Sequence, residues 1–319
     1  ETSAAICAAA EQTGIGLTLL PVLYQQGGVD GSELTPGQIR FGNDPDRFLA
    51  LRDGAATSLS HLPADAVLGT APHSLRAVTP EALRMLASEP LGPMHMHLAE
   101  QVGEVEEVAA AYGARPVEWM LGNCPPDETW CLIHCTQMTP DETRALAQTG
   151  AVAGLCPLTE SSLGDGIFDG ARWLEAGGRL SIGSDSNIRI SLAEELRQLE
   201  YSQRLRDKGR AVLAAPGGST GRRLFDAAVS GGAQAIGRNS GQIAPGCLAD
   251  LVALDGTAAD LIGRSGDGVL DSWIFALDDR LVRDVWSAGR HMVQNGAHVA
   301  RDDITTAYRE CLTRLAEVM

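Results

Sequence analysis

The amino-acid sequence predicts an α/β fold in which a parallel sheet carries helices on its outside. Short apolar runs alternate with helical patterns along residues 1–242, which is typical of parallel strands joined by helical crossovers. Four of the runs close on a polar side chain, and these are His73, His97, His134 and Asp185. Parallel strands end at one rim, so we expect these side chains to converge. A (β/α)8 barrel carries its chemistry at this rim, and the sequence therefore predicts a fold of the TIM-barrel type.

Six apolar runs have the length and composition of buried strands. They lie near residues 17–23, 66–72, 93–97, 130–134, 151–156 and 180–184. Helices are predicted over residues 4–12 and 45–52, and further helices are predicted to start at Thr79, Thr139 and Ser191, which are good N-cap residues. The six strands are fewer than a closed (β/α)8 barrel requires. The first strands of such a barrel are therefore expected to be missing.

The sequence pattern changes near Ile243, where β runs bounded by glycine replace most of the helical periods. One of these runs contains Asn295-Gly296, a strong signal for a tight turn between extended segments. We therefore predict a barrel domain over residues 1–242 and a small accessory β-sandwich domain over residues 243–300. Residues 301–319 are predicted to form a C-terminal helix that packs back on the main body.

Charge and composition narrow the classes of partner. The 319 residues carry a net charge of −16, which argues against nucleic acids and anionic membranes because the field of the protein repels polyanions. Seven cysteines are scattered along the chain, unlike the dense disulfide framework of a small secreted domain. No apolar window has the length of a membrane span, and no basic and apolar leader opens the sequence. A reducing cytoplasm is the expected location.

Histidine and aspartate at one rim indicate a metal site, because imidazole and carboxylate suit zinc and similar divalent ions. A single histidine at a strand end is more often a structural residue. The shared position of His97, His134 and Asp185 at strand ends reverses that preference. We expect His95 to face the other side of its strand and to serve packing. Three cysteines that flank strands are interpreted as small buried hydrophobic residues, and these are Cys131, Cys135 and Cys156.

Several motifs together resemble the amidohydrolase superfamily of metal-dependent deaminases. These motifs are His95-Met-His97-Leu-Ala-Glu100, Leu132-Ile-His134, Gly183-Ser-Asp185-Ser186 and Gly246-Cys-Leu-Ala-Asp250. Within that superfamily, residues 72–80, 159–168 and 199–207 resemble the formimidoylglutamate deiminase family. Members of that family hydrolyse N-formimino-L-glutamate to N-formyl-L-glutamate and ammonia in histidine breakdown. The combination of motifs is specific, although each motif alone is a weak signal.

The resemblance implies roles for the rim residues. His97 and Asp185 would bind one divalent metal, which is zinc or alternatively iron, and Asp185 would also accept a proton from the attacking water. Glu100 would carry a proton to the departing nitrogen, because ammonia is a far better leaving group than an amide anion. His134 would stabilise the charge that develops at the attacked carbon.

The resemblance also implies a binding site for a small anionic substrate. His73 and Arg76 would hold that substrate, and the guanidinium of Arg76 would offer a forked donor to its carboxylate. Arg76 has an alternative role as a cation at a helix start, paired with Glu81. Tyr24 and Gln25 follow the first strand, and they either reach the pocket or anchor their loop.

One family feature is absent from the sequence. The family places a His-x-His pair at the end of its first barrel strand, and both imidazoles bind the metal. The present sequence has one such pair, His95 and His97, which matches a later strand. We therefore expect this chain to be a fragment of a longer deiminase that retains metal poorly. Its open strand edges would favour aggregation or pairing with another chain, and the resemblance allows a homodimer, since family members commonly self-associate.

Two other functions remain open at this point. The first alternative is another amidohydrolase deaminase that acts on a heterocycle, although Arg76 favours an acyclic anionic substrate. The second alternative is a metal-free relative with a binding or assembly role, and the missing histidine pair favours it. Comparing ammonia release from different substrates tests the first alternative. Measuring the metal content of the full-length gene product tests the second.

Overall fold

The predicted strands form a parallel arrangement in the order of the sequence. A computed structural model describes residues 2–187 and 189–318. The parallel strands are β1 (Thr18–Leu19), β2 (Val22–Leu23), β3 (Val67–Leu68), β4 (Ala71–Pro72), β5 (Met94–Leu98), β6 (Trp130–His134), β7 (Val152–Leu155) and β8 (Arg179–Ile182). Each of the first two predicted strands is thus split into two short pieces, whereas the other four are continuous.

Backbone pairing joins the short pieces to the continuous sheet. Strand β1 pairs with β3 and strand β2 pairs with β4, while β5, β6, β7 and β8 lie side by side. A bridge between Thr70 and Met94 connects the two groups. Within the described residues, β8 has β7 as its one partner strand. A closed barrel of this type has more strands than these residues supply.

Helices cover the outer side of the strands, and further helices lie in the C-terminal part of the chain. They are α1 (Thr2–Thr13), α2 (Pro45–Leu59), α3 (Pro80–Ser88), α4 (Val102–Tyr112), α5 (Pro116–Asn123), α6 (Pro140–Ala147), α7 (Pro157–Leu163), α8 (Gly170–Glu175), α9 (Leu192–Asp207), α10 (Thr220–Ala235), α11 (Asp267–Phe275) and α12 (Arg301–Ala316). Short 3-10 helices occupy Ile39–Phe41, Ala259–Leu261 and Asp279–Leu281.

The predicted helix starts are confirmed by their caps. The side-chain oxygens of Thr79, Thr139 and Ser191 each accept a backbone N–H of the first turn, which satisfies a donor that the helix leaves unpaired. Helix α2 begins where predicted but continues past residue 52. It does so because Ala55 and Leu59 are buried in an apolar cluster with residues of α1 and β1.

The main apolar core lies between the outer face of the strands and the helices. Met94 and Met96 of β5 are buried in it, and His95 and His97 lie on the opposite face. The prediction that His95 and His97 face different sides is wrong, because residues two apart on a strand share a face. The His95 ring is held by a hydrogen bond, since its Nε2 donates to the Ala235 carbonyl at 2.7 Å.

The C-terminal region forms an antiparallel sheet, as the change in sequence pattern predicts. Its strands are β9 (Leu251–Leu254), β10 (Val282–Ser287), β11 (Arg290–Gln294) and β12 (Ala297–His298), in the order β12-β11-β10-β9. In the described part of residues 243–300 this is a single sheet, whereas a sandwich needs two. Helix α11 separates β9 from β10 in sequence and packs on α9 and α10, because Trp273 and Ile274 are buried there. The domain boundaries stay predictions.

A buried ion-pair network ties this sheet to the barrel. The Asp65 carboxylate accepts hydrogen bonds from Arg290 of β11 at 2.8 Å and from Arg238 at 2.9 Å. Arg238 also contacts Asp250 at 3.2 Å. The hydrogen bonds from Arg290, with those from Arg238, lower the pKa of Asp65 to about 2 in spite of burial.

Helix α12 differs from its prediction, because none of its described residues is buried against the main body. Its apolar residues Tyr308, Leu312 and Leu315 are exposed. Among the helices that the structure describes, none combines the length and the apolar character of a membrane span.

Candidate active site

The structure brings the four predicted rim side chains together at the carboxyl ends of their strands. The ring centroids of His73 and His97 are 4.8 Å apart, and those of His97 and His134 are 5.6 Å apart in a stacked arrangement. The Nε2 atom of His134 lies 3.9 Å from Oδ2 of Asp185. Residues from strands far apart in sequence thus line one site.

His97 is oriented by the neighbouring strand. Its Nδ1 lies 2.9 Å from the carbonyl oxygen of His73. Because a carbonyl only accepts, Nδ1 carries the hydrogen and Nε2 keeps its lone pair. Burial lowers the pKa of His97 and keeps the ring neutral. A neutral imidazole with a free Nε2 is a good metal ligand.

His134 reaches the rim through an unusual backbone conformation. Leu132 of the same strand packs into the main core, and strict alternation would send His134 to that side as well. Instead, φ of His134 is 73° and φ of Cys135 is 53°, so that the chain turns at the strand end. A left-handed conformation costs about 1–2 kcal/mol for a residue with a Cβ. The cost is consistent with a functional position for this ring.

Three carboxylates surround the His134 imidazole. Nδ1 lies 3.3 Å from Glu160, and Nε2 lies 3.7 Å from Glu100 and 3.9 Å from Asp185. Burial by itself lowers the pKa of His134, but the hydrogen bond with Glu160 and the charges of Glu100 and Asp185 outweigh it and raise the pKa. The ring can therefore carry positive charge between these groups.

Glu100 is held in place through the buried Glu104. The two carboxylate oxygens of Glu104 accept the backbone N–H groups of Ala99 at 3.2 Å and of Glu100 at 2.8 Å. Thr136 donates its hydroxyl to the Ala99 carbonyl at 3.2 Å. These bonds fix the loop after β5, in which Ala99 has a φ of 51°. The loop presents the Glu100 carboxylate to His134.

Asp185 occupies the loop after β8 with a φ of 53°. Its Oδ1 accepts the Ser186 N–H at 2.6 Å, and its Oδ2 faces His134. The side chain is 29% exposed, so that solvent reaches this carboxylate while the neighbouring ring is buried.

The structure groups metal donors differently from the prediction. Among the described residues, ligand atoms of His134, Cys156 and Asp185 lie within 4.8 Å of one another, whereas the predicted pair is His97 and Asp185. Cys156 is buried, as predicted for the strand-flanking cysteines. Burial raises the pKa of its thiol. Imidazole and carboxylate donors fit zinc, and the free Nε2 of His97 adds a further donor beside this group, whereas the protonated Cys156 thiol is a poor ligand because zinc binds the thiolate.

The side chains predicted to bind the substrate are His73 and Arg76. Burial, together with the charges of His97 and Arg76, lowers the pKa of His73 to about 3. Nε of Arg76 is buried and has no hydrogen-bond partner among the described residues. The alternative partner Glu81 lies 4.0 Å from Arg84 instead. A guanidinium with a buried, unpaired N–H is suited to an anionic ligand.

Tyr24 and Gln25 anchor the loop after β2. The Gln25 side-chain oxygen accepts the Thr79 N–H at 3.0 Å, and the Tyr24 hydroxyl accepts a hydrogen bond from Gln38 at 3.0 Å. The Tyr24 ring also meets His73 edge to face at 4.5 Å between centroids. The loop-anchoring interpretation therefore fits both residues, and Tyr24 additionally supports His73.

Sequence reasoning did not assign roles to Glu104 or Glu160. Glu160 lies within the 159–168 motif and Glu104 lies four residues after Glu100. A glutamate in a short helix is ordinarily a solvated residue. Both residues differ from a solvated glutamate, since Glu104 is 3% exposed and Glu160 is 4% exposed.

Comparison with known proteins places this site in a family. Residues 4–292 match the Amidohydrolase family. The chain belongs to the amidohydrolase family. This amidohydrolase is similar to the formimidoylglutamate deiminase of Pseudomonas aeruginosa, with 45% identity over 99% of the chain and 70% of that protein. It is also 33% identical to a 5-methylthioadenosine/S-adenosylhomocysteine deaminase of Nitratidesulfovibrio vulgaris, over 60% of the chain and 44% of that protein.

Solved structures confirm the predicted fold class. An amidohydrolase from Brucella melitensis superposes with a TM-score of 0.92 and 48% identity, over 98% of this chain and 69% of that one. An adenosine deaminase from Xanthomonas campestris with bound zinc gives a TM-score of 0.81 at 23% identity, over 98% and 68% of the two chains. The second likeness concerns the fold alone. The sequence resemblance to amidohydrolases and to formimidoylglutamate deiminase is confirmed, and it supports hydrolysis of a C–N bond.

Proposed function

We propose that this amidohydrolase hydrolyses N-formimino-L-glutamate to N-formyl-L-glutamate and ammonia. The observation that carries the proposal is the buried Arg76 Nε without a hydrogen-bond partner, beside His73 and the other rim imidazoles. An acyclic substrate with carboxylates would supply the missing acceptor. The similarity to the Pseudomonas deiminase over 99% of the chain agrees with this substrate class.

Arg76 also offsets the repulsion between the negatively charged chain and an anionic substrate. A net charge of −16 repels an anionic substrate at long range. The guanidinium of Arg76 provides positive charge where the substrate binds, and its planar donors match a carboxylate. His73 lies in the same wall and stays neutral because its pKa is low. It therefore contributes a hydrogen bond and shape to the site.

His97 and Asp185 would hold the metal that the family uses, with His134 and Cys156 close by. The donor types fit zinc, and iron remains the second choice because both ions accept imidazole and carboxylate. When bound, such an ion acts as a Lewis acid and lowers the pKa of water enough to supply a nucleophile near neutral pH.

The side chains of the protein divide the proton transfers between them. Asp185 lies at the solvent-accessible edge of the site and would take the proton of the attacking water. Glu100 would deliver a proton to the departing nitrogen, so that it leaves as ammonia. His134 lies between them and would stabilise the charge on the attacked carbon. Water adds to the formimino carbon, the C–N bond to the leaving nitrogen breaks, and the formyl product keeps the water oxygen.

The test is ammonia release from N-formimino-L-glutamate compared with adenosine-type and pterin substrates. The zinc-supplemented product of the complete gene and the present chain are both assayed. Replacement Arg76→Met should raise KM for formiminoglutamate by about 10–100-fold, because a hydrogen bond to a charged group contributes about 1.5–3 kcal/mol. Arg84→Met is the matched control, since Arg84 is a half-exposed arginine of the next helix.

Two results would overturn the proposal. Ammonia released only from ring substrates would assign the chain to the heterocycle deaminases, and no ammonia from any substrate at full zinc loading would favour a binding or assembly role. A small anionic substrate, a homodimer and a cytoplasmic location remain part of the same proposal.

A further inference from the structure

We propose that Glu160 is a positioning residue that keeps a hydrogen on Nδ1 of His134 and so reserves Nε2 for the reacting groups. The inference rests on the proposed function, because it concerns the same site. It adds a residue to which neither the sequence motifs nor the similarity to known deaminases gives a role.

The contact geometry is the first support. Glu160 lies on α7, directly after β7, and its Oε1 is 3.3 Å from Nδ1 of His134. The same oxygen accepts the backbone N–H of Cys156 at 2.9 Å. Because Cys156 directly follows strand β7, Glu160 joins the end of that strand to the imidazole at the end of the neighbouring strand β6. The carboxylate cannot move without losing the backbone bond.

The position of α7 is fixed from two further sides. Thr159 donates its hydroxyl to the Ser184 carbonyl at 3.0 Å, next to the loop that carries Asp185. Glu195 of α9 accepts the Leu158 N–H at 2.9 Å. These bonds hold the first turn of α7 against the rim. Glu160 is therefore a rigid acceptor, as a positioning residue requires.

Burial and the lack of another charged partner among the described residues indicate that the Glu160 carboxylate serves the contact with His134. The side chain is 5% exposed, and in the part of the chain that the structure describes its one ion-pair partner is His134. A buried carboxylate without arginine or lysine is costly. Capping the strand end would be served as well by a neutral oxygen. The carboxylate is best matched to the imidazole, whose Nδ1 lies 3.3 Å from its Oε1.

The chemical consequence concerns which nitrogen faces the reaction. Neutral imidazole has two tautomers, and a carboxylate that accepts from Nδ1 selects one of them. Nε2 then faces Glu100 at 3.7 Å and Asp185 at 3.9 Å. Without Glu160 the ring can exchange tautomers or rotate. Arg76 and His73 would still bind substrate, so the loss should fall on kcat rather than on KM.

The decisive measurement is nitrogen NMR of the chain labelled with ¹⁵N-histidine, with His134 assigned from the signals lost in His134→Asn. The unmodified chain and Glu160→Gln should show a protonated, pyrrole-type Nδ1, because the glutamine oxygen still accepts. Glu160→Leu should shift Nδ1 towards the unprotonated, pyridine type. Glu200→Gln is the matched control, since Glu200 is a fully buried carboxylate that accepts the Val212 and Leu213 N–H groups.

The outcomes separate this inference from the proposed function, because the NMR signal does not depend on turnover. A pyrrole-type Nδ1 in Glu160→Leu would overturn the inference, whatever the activity. If Glu160→Leu does not fold, Glu160→Asp withdraws the carboxylate by one methylene and should shift the same signal, and an unchanged signal there overturns it equally. With the zinc-loaded product of the complete gene, Glu160→Leu should lower kcat about 10–100-fold at constant KM. A raised KM with constant kcat would instead make Glu160 a substrate-binding residue.

Discussion

The Nδ1 atom of His97 donates to the carbonyl oxygen of His73 at 2.9 Å, so that the end of one strand orients the imidazole at the end of the next. The backbone pairing of the two strands continues to the same point, where the His97 amide donates to the His73 carbonyl at 3.0 Å. One carbonyl therefore accepts both donors of His97. The free Nε2 is aimed by main-chain geometry that no single side-chain substitution removes.

Metal binding should depend on His97 and Asp185. His97→Ala or Asp185→Asn should each reduce zinc affinity by more than the about 10–100-fold that loss of an outer hydrogen bond costs. The measurement is zinc per chain by mass spectrometry after dialysis against a zinc buffer. Asp226→Asn is the control, because Asp226 is an exposed carboxylate on α10.

The unmodified chain should itself retain less than one zinc per molecule after this dialysis, because the sequence contains a single His-x-His pair. Full retention by the unmodified chain would contradict this expectation. Equal zinc retention by Asp185→Asn and the control would show that Asp185 is not a ligand.

Glu104→Gln should destabilise the loop that carries Glu100. One oxygen becomes an NH2 group facing a backbone N–H, and an unsatisfied buried donor costs about 1–3 kcal/mol. Urea unfolding should show this loss, and kcat should fall because Glu100 is no longer held 3.7 Å from His134. Glu106→Gln, an exposed position on the same helix, should change neither quantity. Equal behaviour of the two variants would refute the positioning of Glu100 by Glu104.

The sequence predicts the strands and the rim residues more fully than it predicts the buried carboxylates that hold the rim residues in place. His97 is predictable because a polar residue that closes an apolar run marks a strand end. Glu104 accepts the backbone N–H of the left-handed residue Ala99, and Glu160 contacts the ring of the left-handed residue His134. Neither position is glycine, so the sequence gives no sign of the turn. Their buried carboxylates therefore become recognisable only in three dimensions.

Stability at low pH should depend on Asp65. Its pKa is lowered from 3.8 to about 2, so that the folded state favours the charged form. The stabilisation is present above the unfolded pKa and is lost as pH falls from about 4 towards 2. Asp65→Asn should cost about 1–2 kcal/mol at pH 7 and should flatten this acid limb. Asp278→Asn, which breaks an exposed pair with Arg280, should change stability by less than about 0.5 kcal/mol. Urea midpoints between pH 2 and pH 7 test the difference, and parallel curves for Asp65→Asn and the unmodified chain would contradict it.

The contact of α10 with β8 gives a prediction with a matched control one residue away. A Cβ at Gly231 would lie 1.9 Å from the Leu180 carbonyl oxygen, whereas a Cβ at Gly232 would meet no atom within 4 Å. Gly231→Ala should therefore force α10 away from the sheet and destabilise the protein by more than about 1–3 kcal/mol, the usual cost of overpacking. Gly232→Ala should stabilise it by about 0.5–1 kcal/mol, because alanine is the better helix former. Thermal unfolding of both variants gives opposite shifts if α10 packs on β8 as described. Shifts of the same sign would show that the helix does not approach Leu180 this closely.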